Sequence, residues 1–271
     1  MRKWVLFLFV ASTFFIGVRL SMADDADLFT LGIQPEALII LDMSTSMNWD
    51  TAGIFSASYP NRRIDIARDV IYDLLDDDGD GKGSNNNRIY IDSNDEKSLN
   101  VRIGYMRFRG IGAADEDDNN PMTGKIKVFQ NETEIGSSYR KIWDKVSDPA
   151  ETATGCTPLA ATLVEAGIYF RDYVNPNDQA IACRQKFIIF ITDGSDTVAC
   201  NGDCSETGPD MFKRRFKTVL RAKELYTPSP APNVVPIQVF AVGFGAAMPD
   251  HLKRTLNWVA KYGGTDNPLE G

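Results

Sequence analysis

The 271-residue chain contains a single histidine, His251, and its rarity narrows the chemistry at once. His251 stands far in sequence from every polar cluster. No Gly-x-Ser-x-Gly occurs either, so a Ser–His hydrolase lacks its nucleophile elbow. Cysteine is also sparse. Cys156, Cys183, Cys200 and Cys204 are the only four, and none form the Cys-x-x-Cys pairs that a zinc site favours. Past the N-terminus, no apolar run approaches the roughly 20 residues that a membrane span needs. No internal repeat is present. Gly79-Asp80-Gly81-Lys82-Gly83 is not a phosphate loop, because it lacks a Ser or Thr after the lysine and its aspartates would repel phosphate.

The N-terminus reads as an address. Met1-Arg2-Lys3, an apolar stretch over 4–18, and Ser21-Met22-Ala23 describe a secretory signal peptide cleaved after Ala23. We therefore expect a signal peptide at 1–23, a short segment at 24–34 and one domain at 35–271. The formal net charge of −8 becomes −11 once Arg2, Lys3 and Arg19 are removed. So acidic a domain is a poor candidate for nucleic acid or an anionic membrane, and suits cations or basic partners.

Export makes the cysteines disulfide candidates. A strand separates Cys183 from the end of the sheet where Cys156 lies. Its length of about 20 Å exceeds the roughly 4.4–6.8 Å between bridged Cα atoms, which disfavours Cys156–Cys183. Cys200–Cys204, or either of these with Cys156, fits better, and spacing leaves that choice open.

Apolar runs and helical spacing alternate along the chain. Ala37-Leu38-Ile39-Ile40-Leu41, residues 101–108, 187–191 and 235–243 read as strands, with a short strand at 126–129. Helical periodicity covers 62–75, 139–146, 158–173, 212–225 and 252–262. The acidic, Gly- and Asn-rich stretch 76–100 reads as a loop insertion, and 113–120 as a second, solvated acidic loop. Strands alternating with helices predict an α/β, doubly wound, mainly parallel sheet flanked by helices.

Two of the apolar runs end in polar residues, at Asp42-Met43-Ser44-Thr45-Ser46 and at Thr192-Asp193-Gly194, and Thr157-Pro158-Leu159 opens a helix between them. Ligands bind at the carboxyl ends of strands in such sheets, so Asp42, Ser44, Ser46, Thr157 and Asp193 can converge. Two carboxylates and three hydroxyls, with no imidazole or thiolate, form a hard-oxygen set suited to Mg²⁺ or Mn²⁺. Thr157 can also cap the helix that Pro158 begins.

These motifs resemble the metal-ion-dependent adhesion site of von Willebrand factor type A domains, over roughly residues 35–264. Thr157-Pro158-Leu159-Ala160, the stretch 165–170, Cys183-Arg184-Gln185-Lys186-Phe187 and Gly263-Gly264-Thr265 are most similar to the N-terminal domain of PilY-type type IV pilus tip adhesins. Cys156 departs from those relatives, which usually have glycine there. The resemblance implies that Ser44, Ser46 and Thr157 ligate the ion directly and that Asp42 and Asp193 act through bound waters. It implies a role in adhesion or pilus biogenesis at the periplasm, cell surface or pilus tip. The expected partner is a protein presenting Asp or Glu, such as a minor pilin or a host or surface receptor. It further implies one more edge strand and a closing helix after Gly263-Gly264, which this chain is expected to lack.

A second cation candidate lies in the first acidic loop. Asp76, Asp78 and Asp80, with Gly81 at the sixth place and Lys82 following, partly match a Ca²⁺ loop, and Asp92, Asn94 or Glu96 can supply further oxygens. The expected function is a non-enzymatic, metal-dependent adhesion domain. The alternatives are a scaffold with a purely structural metal and a Mg²⁺-dependent hydrolase, for which no general base stands out.

Overall fold

The computed structural model describes residues 32–56, 60–80, 88–108, 133–149, 152–200, 204, 208, 210–227, 235–245 and 248–266. The expected signal peptide, the loop at 113–120, the strand at 126–129 and Lys82 lie outside the described residues. Internal packing divides the chain into Met1–Ile33 and Gln34–Gly271, and every element below belongs to the second unit.

Four parallel strands make the sheet: β1 (Glu36–Asp42), β2 (Arg102–Phe108), β3 (Lys186–Thr192) and β4 (Gln238–Gly243), in the order β2-β1-β3-β4. Every residue of β1 is buried. A strand covered on both faces has no reason to alternate, which is why its sequence is a continuous apolar run. The helices are α1 (Arg63–Leu75), α2 (Ser93–Leu99), α3 (Tyr139–Val146), α4 (Leu159–Tyr169), α5 (Met211–Tyr226) and α6 (Asp250–Tyr262). The α/β, doubly wound parallel arrangement expected from sequence is the one found.

Alternate strand residues feed two cores. Leu38, Ile40, Phe108, Ile188, Phe190 and Val239 pack with Leu159, Leu163, Phe170, Ala222 and Val259, so α4, α5 and α6 cover one face. Ile39, Leu41, Ile103 and Ile191 pack with Ile64, Ile71, Ile142 and Trp143, so α1 and α3 cover the other. Fully burying each such side chain contributes about 1.5–3 kcal/mol.

The stretch 76–100 is not loop throughout. A 3₁₀ turn spans Arg88–Tyr90, and α2 follows it. Asp92 and Asp95 form a reciprocal capping box, and Asn100 closes the helix in the left-handed conformation at φ 54°. The cap overrides the poor helical periodicity of so polar a segment. The helix expected to run to residue 173 widens instead into a π turn at Phe170–Val174. Among the described residues β4 pairs only with β3. The chain returns to the outer side of β4, where Val239 N–H donates to the Gly263 carbonyl at 2.9 Å and the Thr265 hydroxyl to the Val239 carbonyl at 2.7 Å. Phe240 and Val242 of this strand are exposed.

Candidate metal centre

The site forms where β1 and β3, paired in register, both end. Asp42 is the last residue of β1 and is fully buried. One carboxylate oxygen accepts from Ser44 N–H at 2.7 Å and the other from the Thr192 hydroxyl at 2.7 Å. The chain then turns through a 3₁₀ segment, Thr45–Asn48, bringing the Ser44 and Ser46 hydroxyls within 3.2 Å of each other. The Ser46 hydroxyl donates to Asp193 at 2.8 Å. Sequence motifs 147 residues apart are thus joined by one hydrogen bond.

The loop carrying Thr157 is clamped from both sides. Thr45 N–H donates to the Gly155 carbonyl at 3.1 Å, and Gly155 N–H donates to the Thr45 hydroxyl at 2.9 Å. Gly155 sits at φ +86°, a conformation that a side chain would strain. On the far side, Thr157 N–H donates to the Thr197 hydroxyl at 2.9 Å, and Thr197 N–H to the Thr157 carbonyl at 2.9 Å. Cys156 is disulfide-bonded to Cys204, one of the alternatives that spacing left open, while Cys183 and Cys200 lie outside this bridge. The bridge ties the Thr157 loop to the segment after Asp193.

Thr157 is not the helix cap. Pro158 occupies that position without a side-chain bond, and the Asp196 carboxylate instead accepts from Ala160 N–H at 2.7 Å. A more distant acid satisfies the helix start, so the Thr157 hydroxyl is not needed there. Ser44, Ser46, Thr157 and Asp193 line one cavity of about 400 Å³, beneath which Asp42 is buried. All five expected residues therefore meet.

Burial, and then the charge of Asp193, push the Asp42 carboxyl up to about 7, against hydrogen bonds from Thr192 and Ser44 that pull it down. Two buried carboxylates, one of which raises the proton affinity of the other, beside three hydroxyls and with no softer donor, fit a hard divalent cation. One neighbour was not anticipated. Arg63, the first residue of α1, places a guanidinium nitrogen 2.5 Å from Asp193, with both side chains almost fully buried. Its Nε–H donates to the Asp50 carbonyl at 2.9 Å, and its guanidinium lies 5.9 Å from the Trp49 ring centre. Thr192 and Asp196 were also missed. Their only sequence signal was proximity to Asp193.

In the acidic stretch, Asp76, Asp78 and Asp95 place carboxylate oxygens within 4.8 Å of one another. Asp80 stands beside them, raised first by burial and then by the charges of Asp78, Asp76 and Asp95. Asp92 is occupied as the α2 cap, and Asp95, not Asn94 or Glu96, completes the trio.

The sheet order, the flanking helices and the strand-end site together make an α/β, doubly wound parallel fold with a polar site at the carboxyl end of its sheet, as the resemblance to von Willebrand factor type A domains implies. No family model and no curated protein matches the chain. Among solved structures it is similar to a variant of the PilB minor pilin from Streptococcus sanguinis, at 14% identity and a TM-score of 0.53, over 86% of this chain and 56% of that one. It is also similar to the pilus adhesin SpaC from Lactobacillus rhamnosus GG, at 15% identity and a TM-score of 0.51, over 87% of this chain and 28% of the adhesin. The chain thus spans about half of the pilin and just over a quarter of the adhesin. Likeness at these identities establishes the shared fold.

Proposed function

We propose that the protein is an exported adhesion domain that captures a carboxylate of a partner protein through a divalent ion. It resembles in this the N-terminal part of PilY-type pilus tip adhesins. The observation that carries the reading is the convergence of Ser44, Ser46, Thr157 and Asp193 on one cavity, with the buried Asp42 carboxylate hydrogen-bonded to Ser44 N–H. Ser44, Ser46 and Thr157 would hold the ion through hydroxyls, with Asp42 and Asp193 behind them. When bound, Mg²⁺ or Mn²⁺ supplies an electrophilic position that a partner's Asp or Glu can complete. Neutral ligands keep the charge on that position high, while the buried acids balance it from behind.

The rim also suits a protein partner. Trp49 lines the cavity, and the adjoining hairpin exposes Ile54 and Phe55. Asp50 braces this hairpin by accepting from Ala52 and Ile54 N–H at 2.9 and 2.8 Å. Minor pilins and surface receptors are the partner classes that this reading favours, at the cell surface or pilus tip. No described helix is long and apolar enough to cross a membrane. We assign no catalysis to the site, and Ca²⁺ to the Asp76, Asp78 and Asp95 cluster.

One observation favours a second reading, a scaffold with a structural metal. The Arg63–Asp193 pair cross-links the start of α1 to the end of β3 within the site, and an ion there would add a second cross-link of the same kind. Thermal unfolding in EDTA, Mg²⁺, Mn²⁺ and Ca²⁺, paired with capture of a carboxylate-bearing peptide on a surface, separates the two. An ion at one hundred times its dissociation constant adds about 2.7 kcal/mol. The adhesion reading expects that shift and Mg²⁺-dependent capture, both lost in Ser46→Ala. A shift without capture would transfer the case to the scaffold.

A further inference from the structure

The chain is acidic overall, yet two adjacent helices reverse that charge. Together α5 and α6 carry nine of the 29 lysines and arginines but only two of the 37 aspartates and glutamates. Those two acids already have partners: Glu224 lies 2.7 Å from Arg221, and Asp250 lies 4.0 Å from Lys253. Between the helices runs a groove of about 420 Å³, and none of the described residues lining it is an acid.

The groove is apolar within and cationic at its margins. Phe216, Trp258 and Tyr262 line it while remaining 65%, 47% and 38% exposed. Phe212, one turn before Phe216, is 68% exposed. Trp258 and Tyr262 stack at 5.5 Å between ring centres, which pre-forms one wall. Cations flank the rings: Arg215 lies 5.6 Å from Phe212, and Lys223 lies 5.8 Å from Tyr262. Neither the core nor the metal centre uses these side chains. Large aromatics left exposed together, rimmed by charge of one sign, mark an interaction surface.

We propose that this groove binds an acidic, amphipathic peptide segment of a partner protein, with its apolar side chains between α5 and α6 and its carboxylates on Arg215 and Lys223. The charge of the groove selects against basic segments. Its concavity favours a helix or strand laid between two helices over a flat bilayer, which cannot reach the floor. This surface is separate in residues from the ion-dependent site, so a protein could hold both at once.

The test uses the whole chain and a defined probe. A fluorescein-labelled synthetic peptide with leucines on one helical face and glutamates elsewhere is titrated by anisotropy at low salt. A same-composition peptide with scattered leucines, a lysine-for-glutamate peptide and phosphatidylglycerol vesicles serve as comparisons. We expect the striped acidic peptide to bind, to weaken about tenfold in Trp258→Ala and in Lys223→Glu, and to weaken with added salt. Both substitutions are at solvent-facing positions, and unchanged melting temperatures would show that folding is intact. The proposal is overturned if the scattered peptide binds equally, if both variants bind as well as wild type, if only vesicles bind, or if the groove mediates self-association of this chain instead.

Discussion

Replacing Arg63 by methionine tests how the candidate site balances its charge. The Arg63 guanidinium sits 2.5 Å from Asp193, with 8% of the arginine side chain and none of the aspartate side chain exposed. Removing one partner of a buried pair costs about 3–5 kcal/mol, because the other charge is left uncompensated. For a domain of this size each kcal/mol lowers the melting temperature by roughly 2–4 °C. In EDTA, then, Arg63→Met should melt roughly 6–20 °C below wild type. Saturating Mn²⁺ supplies a replacement cation next to Asp193, so most of that loss should disappear. A residue of about 1 kcal/mol should persist, because the variant also loses the hydrogen bond to the Asp50 carbonyl. Linkage requires the converse as well: a difference of about 2–4 kcal/mol between the two conditions corresponds to roughly 30- to 1,000-fold tighter apparent Mn²⁺ binding by the variant. Urea unfolding in EDTA and in Mn²⁺ measures both quantities. An equal loss in the two media would refute the idea that arginine and metal ion balance the same carboxylate.

Three further outcomes follow from other parts of the structure. Burial pushes the Glu165 carboxyl on α4 up to about 7 from an ordinary 4.5. A raised acid costs stability once pH exceeds its unfolded value, and that cost grows until pH passes its folded value. Glu165→Gln should therefore match wild type near pH 4 and exceed it by up to about 3 kcal/mol near pH 8, and an equal difference at both pH values in urea titrations would contradict this. The Cys156–Cys204 bridge closes a separation of 48 residues, so Cys204→Ser should cost about 2–4 kcal/mol by chemical denaturation, with dithiothreitol producing the same loss in wild type. Asp95→Asn keeps an oxygen to cap α2 but removes a charge from the acidic trio. It should abolish a Ca²⁺-dependent rise in melting temperature, and a rise that survives would place any Ca²⁺ elsewhere.

Much of the site was legible because its residues follow unbroken apolar runs. The runs ending at Asp42 and Asp193 could only be buried parallel strands, and their carboxyl ends had to share an edge. The order of the three motifs did the rest. Arg63 was not legible, since an arginine at a helix start looks like any solvated residue until the fold sets it against Asp193. Asp95 was hidden for a related reason: it reads as one acid in a polar stretch, and only the capping box reveals a helix that turns it towards Asp76 and Asp78. The Cys156–Cys204 pairing needed the third dimension as well, because spacing alone allowed Cys200 equally. Net charge was silent on local charge. The overall balance is −8, yet α5 and α6 gather nine lysines and arginines, and a sum over the chain cannot show that.

The most direct measurement is anomalous scattering from crystals of the protein grown with Mn²⁺. The account predicts a peak within coordination distance of the Ser44, Ser46 and Thr157 hydroxyls, with Asp42 and Asp193 behind it. A map with no peak there, or with manganese only among Asp76, Asp78 and Asp95, would contradict it.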